Sequence, residues 1–116
     1  MKYLLLFRVE DRVWQEISST EADVIRAESD AYDEDLARSS HLVFVQRLQP
    51  ARTAVTVRVR DRTPSYTDGP FAETKEQLAG VIVLEAASRD EALATASRSP
   101  LARIGSVEVR PGLAAG

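Results

Sequence analysis

Two short stretches of this chain are apolar at consecutive positions, and they limit the folds open to it more than any other feature. They are residues 3–7 and residues 81–84. A strand with one face in water alternates between apolar and polar residues, whereas a strand covered on both faces does not. We therefore predict that residues 2–9 and residues 81–84 form two central strands of a sheet.

The remaining strand candidates have a more one-sided pattern. Residues 42–45 are apolar and turn polar at Gln46 and Arg47, and residues 105–110 alternate up to Pro111. Residues 53–60 alternate most cleanly, with three valines on one parity and polar residues on the other. Alternation of this kind is typical of a half-buried strand. These three segments are therefore predicted to be outer strands.

Two capping boxes predict helices. Ser18 and Glu21, and again Ser88 and Glu91, have the spacing at which a hydroxyl and a carboxylate satisfy free backbone N–H groups at a helix start. The first helix has one core-facing stripe, formed by Ala22, Ile25, Ser29, Tyr32 and Leu36. Its other face is acidic and is predicted to be solvated. The second helix is short and ends before Pro100.

Residues 10–18 are expected to form a loop. That loop contains Trp14, the single tryptophan, among charged neighbours. Trp14 either lines a ligand pocket or packs under the loop, and packing is the commoner role of a buried indole.

The order of elements is β-α-β-β-β-α-β, with a tight corner before the second central strand. It predicts an α+β fold, in which a ferredoxin-like antiparallel sheet carries two helices on one face and the strand at 53–60 is an insertion. Two helices cover only one face of the sheet, while the central strands are apolar on both. A symmetric homodimer that packs sheet against sheet is the simplest cover for the second face.

Length and composition narrow the classes of protein. A chain of 116 residues supports a single domain, predicted over residues 1–112 with a frayed tail at 113–116. A net charge of -3 argues against a nucleic-acid partner. The chain has no cysteine and one histidine, so we expect neither a metal site nor a cofactor. No apolar run is long enough to cross a membrane, and a cytoplasmic location is the default expectation.

The corner is Asp68-Gly69-Pro70-Phe71, and it has dense turn chemistry. The Asp carboxylate can accept a backbone hydrogen bond, Gly tolerates a positive φ and Pro fixes its own φ. Phe71 is an apolar anchor. Residues 73–78 are predicted to form a short helical turn that ends at Gly80.

With its neighbours, this corner resembles the signature of the DGPF branch of the YCII-related family. The other similar segments are residues 1–6, Trp14, residues 48–50, residues 56–60 and residues 105–111, so the resemblance spans nearly the whole chain. It implies a dimeric α+β barrel with a cleft between helix and sheet or at the dimer seam. A related member performs a dehydrochlorinase reaction. The chain departs from the family pattern at Ala79, Val81 and Ile82, where relatives place glycine and aromatic residues.

Three functions stay open. In the first, the domain binds an unknown small molecule or is a lyase- or hydrolase-like enzyme, with His41 as general base and Asp68 as its partner. The candidate ligand-binding residues are Trp14, Arg58, Asp68 and Phe71. In the second, the domain is a regulatory accessory linked to an extracytoplasmic-function sigma factor, because DGPF relatives are often encoded beside one. In the third, it is a non-catalytic dimeric scaffold.

Overall fold

The computed structural model describes residues 1–39, 41–72 and 74–114, which contain six strands and four helices. The strands are β1 (Lys2–Glu10), β2 (Leu42–Arg47), β3 (Val55–Arg60), β4 (Thr63–Asp68), β5 (Glu76–Glu85) and β6 (Ser106–Pro111). The helices are α1 (Asp11–Glu16), α2 (Ser19–Arg38), α3 (Arg89–Ser97) and α4 (Leu101–Ile104), and a short 3-10 helix spans Ala51–Thr53. Residues 115–116, in the predicted tail, lie outside the described residues, and Leu113 before them is fully exposed.

The main sheet has the strand order β2-β5-β1-β6, and all of its pairs are antiparallel. β1 and β5 are its two central strands, as the apolar runs predict. Leu5 lies opposite Ile82 of β5 on one side and Val109 of β6 on the other. The ferredoxin-like α+β architecture is thus confirmed.

The core lies between one face of this sheet and the helices. Leu5, Phe7, Ile82 and Leu84 point from the central strands towards Leu36 of α2, and all five are at most 6% exposed. Both helix starts are confirmed with the predicted serine N-caps, and the Glu91 carboxylate accepts from the Ala87 N–H, one residue before the N-cap of α3. The hydroxyl of Ser18 accepts a hydrogen bond from the Glu21 N–H at 3.1 Å, and that of Ser88 from the Glu91 N–H at 3.2 Å.

Three local predictions are wrong. Residues 11–16 form α1, where a loop was expected. The predicted helical turn near residue 76 is the start of β5, and Gly80 lies inside that strand; position 73 lies outside the described residues. β5 is longer than predicted because its first residues pair with β1. The Leu48 N–H, just after β2, also donates to the Ala79 carbonyl of β5 at 2.9 Å. Long-range pairing therefore outweighs the local helical tendency.

The insertion is a hairpin of two strands, not one strand. β3 and β4 form their own two-stranded sheet, joined by Asp61 and Arg62 with φ of 49° and 64°. Two consecutive positive φ values are typical of a type I′ hairpin turn, which usually contains Asn or Gly. The pair Asp-Arg lacks that signal, and β4 escaped prediction for this reason.

The hairpin also differs from its predicted burial. Val55, Val57 and Val59 share one face of β3, as the alternation indicates, but they are 55–58% exposed within a single subunit. The expectation of a half-buried strand is therefore wrong for the isolated subunit.

The second face of the main sheet is apolar, and none of the helices within residues 1–39, 41–72 and 74–114 packs on it. Leu4 and Leu6 of β1 lie opposite Val83 and Val81 of β5, and Phe44 of β2 lies opposite Val83. These side chains are half-buried except Phe44, which is 53% exposed. We call this surface, formed by Leu4, Leu6, Phe44, Val81 and Val83, the open sheet face.

Candidate functional site

A cavity of about 360 Å³ lies at the end of the sheet where β2 ends and β5 begins. α1 and α2 form its other walls. Its apolar lining consists chiefly of Val9, Trp14, Ile25, Leu48, Leu78 and Leu101, and its polar lining of Asp11, Arg26, Ser29, Arg47, Gln49 and Gln77. This size and this mixture are typical of small-molecule sites, in which a few polar groups orient a mostly apolar ligand.

Local structure explains how the cavity forms. α1 follows β1 directly and places Trp14 beside the sheet end, with the indole 42% exposed. α2 contributes Ala22, Ile25 and Ser29 from its core-facing stripe. The stripe extends past the end of the packed core, so about the first three turns of α2 face a cavity instead of a strand. Trp14 therefore lies in a cavity wall, and its contact with a ligand stays a prediction.

Arg47 connects α2 to the end of β2. Its guanidinium contacts an Asp30 carboxylate oxygen at 2.8 Å and donates a hydrogen bond to an Asp33 carboxylate oxygen at 3.1 Å. Burial raises the pKa of Asp33 above its usual value, and the hydrogen bond and positive charge of Arg47 act in the opposite direction. The acidic face of α2, predicted to be solvated, therefore binds one arginine of β2 through two of its carboxylates.

Tyr32 is structural and is not a candidate acid or base near neutral pH. Its hydroxyl donates to the Thr95 carbonyl at 2.7 Å and so joins α2 to α3. Burial raises the pKa of Tyr32 to about 12. The hydroxyl therefore stays protonated as a donor.

Replacing Arg47 with Gln is expected to destabilise the domain by roughly 1 kcal/mol at pH 7, since both partners are partly exposed. Without the guanidinium the pKa of Asp33 rises further above its unfolded value. Between the unfolded and the folded pKa of Asp33, the folded state then binds more protons than the unfolded state, so stability falls as pH rises through that range. The loss should accordingly be smaller at pH 5 than at pH 7. Urea unfolding at both pH values measures it.

The control for this prediction is a double-mutant cycle. Asp33→Asn in the Arg47→Gln background removes the unpaired carboxylate and should recover most of the loss. If Arg47→Gln lowers the free energy of unfolding by the same amount in the unmodified protein and in the Asp33→Asn protein, Arg47 and Asp33 are not coupled.

A second, wider cleft of about 850 Å³ lies between the hairpin and the same sheet end. The corner contributes Pro70 and Phe71, the hairpin contributes Val55 and Val57, and β1 contributes Arg8. The two sites share a wall formed by residues 48–51 and by Gln77 and Leu78. The amide of Gln77 donates to the carbonyls of Ala72 and Thr74, at 3.2 and 2.7 Å, so the shared wall is bonded to the corner.

Two of the predicted ligand-binding residues meet beside this cleft. The Arg58 guanidinium lies 5.7 Å from the centre of the Phe71 ring, within the range of a cation–π contact. Phe71 is 80% exposed, so it is not the buried anchor that an apolar corner residue suggests. The corner itself has the expected geometry: Gly69 has φ of 100°, and its N–H donates to the Ala54 carbonyl at 2.8 Å.

The structure does not bring His41 and Asp68 together within one subunit. His41 precedes β2, and its Nδ1 lies 3.4 Å from a Glu91 carboxylate oxygen of α3. Asp68 ends β4 opposite Val55, which follows the far end of β2. The length of β2 separates those ends by roughly 20 Å at the usual rise per residue. Their catalytic roles stay predictions, and the pairing within one subunit is corrected.

Several cavity residues were missed from the sequence. Arg47, Gln49 and Gln77 lie on three segments that approach one another only in the folded sheet. Ser29 had a signal, because it is the one polar residue in an apolar stripe. A small polar residue in such a stripe indicates a place where the helix faces a cavity.

Within residues 1–39, 41–72 and 74–114, no cluster of three or more His, Cys, Asp or Glu side chains is arranged to hold a metal ion. In the same part of the chain, no helix is long and apolar enough to cross a membrane.

Comparison with known proteins agrees with the fold. The model of the YCII-related domain matches residues 1–113. An uncharacterised protein of Rhizobium meliloti (strain 1021) is 36% identical over 113 residues, covering 96% of this chain and 91% of the relative. The solved structure of 5-chloro-2-hydroxyhydroquinone dehydrochlorinase (TftG) from Burkholderia phenoliruptrix AC1100, in complex with 2,5-dihydroxybenzoquinone, has a TM-score of 0.58 at 16% identity. The match covers 97% of this chain and 94% of that one.

Proposed function

The chain belongs to the YCII-related family, and from that premise we propose that it binds a small, largely apolar ring compound with oxygen substituents. The cavity beside Trp14 is the proposed site. The observation that carries the proposal is the position of the single indole in the wall of a 360 Å³ cavity that also offers a hydroxyl and two amides. An aromatic face and a few hydrogen-bonding groups suit a planar ring.

The ring of the ligand stacks on Trp14 and contacts Ile25 and Leu78. Its oxygens accept or donate hydrogen bonds at Ser29 and Gln49, which line the same cavity. The related fold that holds 2,5-dihydroxybenzoquinone supports this choice of ligand class. Arg47 is held by two carboxylates and contributes little net positive charge, so the site does not require a strongly anionic ligand.

We propose further that the working unit is a homodimer that buries the open sheet face. Apolar surface of this kind usually marks an interface, and a two-fold axis lets one surface cover its own copy. A catalytic role for His41 and Asp68, the sigma-factor link and the scaffold role stay predictions.

Intrinsic fluorescence tests the proposed site directly, because the chain has one tryptophan. Titration with 2,5-dihydroxybenzoquinone should quench Trp14 in a saturable way, and calorimetry should give the same dissociation constant. Ala22→Leu fills the cavity from α2 and should weaken binding at least about tenfold. Ala27→Leu adds the same side chain on the exposed side of α2 and should leave affinity unchanged.

Circular dichroism of both variants is the control for folding and should show the helix content of the unmodified protein. If Ala22→Leu binds as tightly as Ala27→Leu, the ligand does not occupy this cavity. If the unmodified protein gives neither saturable quenching nor heat with this quinone or with hydroquinone, the proposed ligand class is wrong.

A further inference from the structure

The β3–β4 hairpin has an apolar face that nothing covers within the described subunit. Val57 and Val59 lie opposite Tyr66 and Pro64 of β4, so these side chains share a face with Val55. Asp68, opposite Val55, is the one charged residue on this face and lies at the base of the hairpin. The valines are 55–58% exposed and Tyr66 is 70% exposed. The charged side chains Arg58 and Arg60 occupy the opposite face of the hairpin, by strand alternation. We call the apolar side the valine face.

A hairpin of this kind needs a partner surface. An isolated two-stranded hairpin is marginally stable in water. Its base is fixed by two hydrogen bonds, from the Gly69 N–H to the Ala54 carbonyl and from the Thr56 hydroxyl to the Gly69 carbonyl. Both bonds join the hairpin's own two ends, and β3 and β4 form a sheet separate from the main one. The radius of gyration is 16.0 Å, whereas a compact chain of this length has about 13 Å.

The same chain presents a complementary surface. At the β2 edge of the open sheet face, Val43 and Phe44 are 51% and 53% exposed. At the opposite edge, Arg8 and Arg110 both pair with Glu108. The face therefore has an apolar centre and a charged rim on one side, which is the usual composition of a protein interface.

We propose that each hairpin docks its valine face on the β2 edge of the open sheet face of a second copy of this chain. The size of the surfaces supports this occupant. The valine face offers roughly 400 Å² of apolar surface, and a two-fold axis buries two such faces and their two receiving surfaces. The total, roughly 1,600 Å², is that of a standard stable interface.

This docking gives the wide cleft its missing wall. Val55 and Val57 line the cleft from the hairpin side, and Arg8 lines it from the sheet side. A second copy seated on the valine face closes the cleft on the side of Val55 and Val57, so the partner contributes to a site that one subunit leaves open. The inference rests on the proposed homodimer but not on ligand binding beside Trp14.

Sedimentation equilibrium of the full chain tests the docking. Val57→Glu places a carboxylate in the centre of the valine face and should weaken dimerisation at least about a hundredfold, because an unpaired charge would be buried. Thr67→Glu adds the same charge on the opposite face of the same hairpin and should leave the dimer unchanged. Val57→Thr keeps the size and should weaken dimerisation about tenfold, which covers the case in which Val57→Glu fails to fold.

If the Val57→Glu protein dimerises as tightly as the Thr67→Glu protein, the proposed docking is wrong. That result would leave the sheet-to-sheet dimer in place. An unmodified protein that is monomeric at about 100 μM would overturn both. Quenching of Trp14 by the quinone should be unchanged in a monomeric Val57→Glu protein, since the cavity is built within one subunit. A loss of quenching in that monomer would contradict the independence of the two sites.

Discussion

Gly105→Ala is expected to destabilise the domain by about 3 kcal/mol or more, at the upper end for an overpacked site. A β-carbon at this position would overlap the backbone carbonyl oxygen of Arg8 and lie 3.0 Å from a methyl of Val9. The carbonyl belongs to the central strand β1, which is paired on both sides and cannot move alone. Relief therefore requires β6 to shift away from β1, starting at the pair Arg8–Ser106.

Thermal unfolding measures this loss, which should lower the melting temperature by roughly 10 °C or more for a domain of this size. Gly112→Ala is the matched control at the other end of the same strand pair. Its β-carbon would lie 3.3 Å from the Lys2 carbonyl oxygen, so a small adjustment accommodates it. Equal melting temperatures for the two variants would show that the β1–β6 pairing tolerates the displacement and would contradict the prediction.

The parts of the fold that the sequence predicts are those that local chemistry controls. The helix starts at Ser18 and Ser88 depend on contacts three residues away, and both were correct. The central positions of β1 and β5 also follow from local pattern, since burial on both faces requires apolar residues at both parities. The start of β5 was wrong because partner strands far away in the chain decide it.

The candidate site was harder to predict for the same reason. The cavity is lined by the ends of β2 and β5, by α1 and α2, and by the start of α4, and their approach depends on sheet register. Trp14 could be identified because an isolated tryptophan in a polar segment is unusual. The prediction that His41 pairs with Asp68 assumed that the two residues are close, although the sequence does not give the register of their strands. The hairpin insertion places Asp68 beyond the far end of β2.

Leu5→Ala and Leu6→Ala form a matched pair that separates the core from the open sheet face. Leu5 is 0% exposed and packs under the helices, so its truncation should cost about 3 kcal/mol or more through lost burial and a residual cavity. Leu6 is half-buried on the opposite side of β1. In a single subunit its truncation should cost only about 1 kcal/mol.

Protein concentration distinguishes the two variants, because the proposed dimer buries the open sheet face of β1 and leaves its core face unchanged. Urea unfolding at about 1 and about 100 μM should show a rise in stability with concentration for the unmodified protein and for Leu5→Ala, and a much smaller rise for Leu6→Ala. The expected order follows from the alternation of a single strand: the same side chain, one residue apart, supports the subunit on one face and the dimer on the other. If the stability of Leu6→Ala rises with concentration as much as that of the unmodified protein, dimerisation uses a different surface. Dimerisation would then not explain why the open sheet face of β1 is apolar.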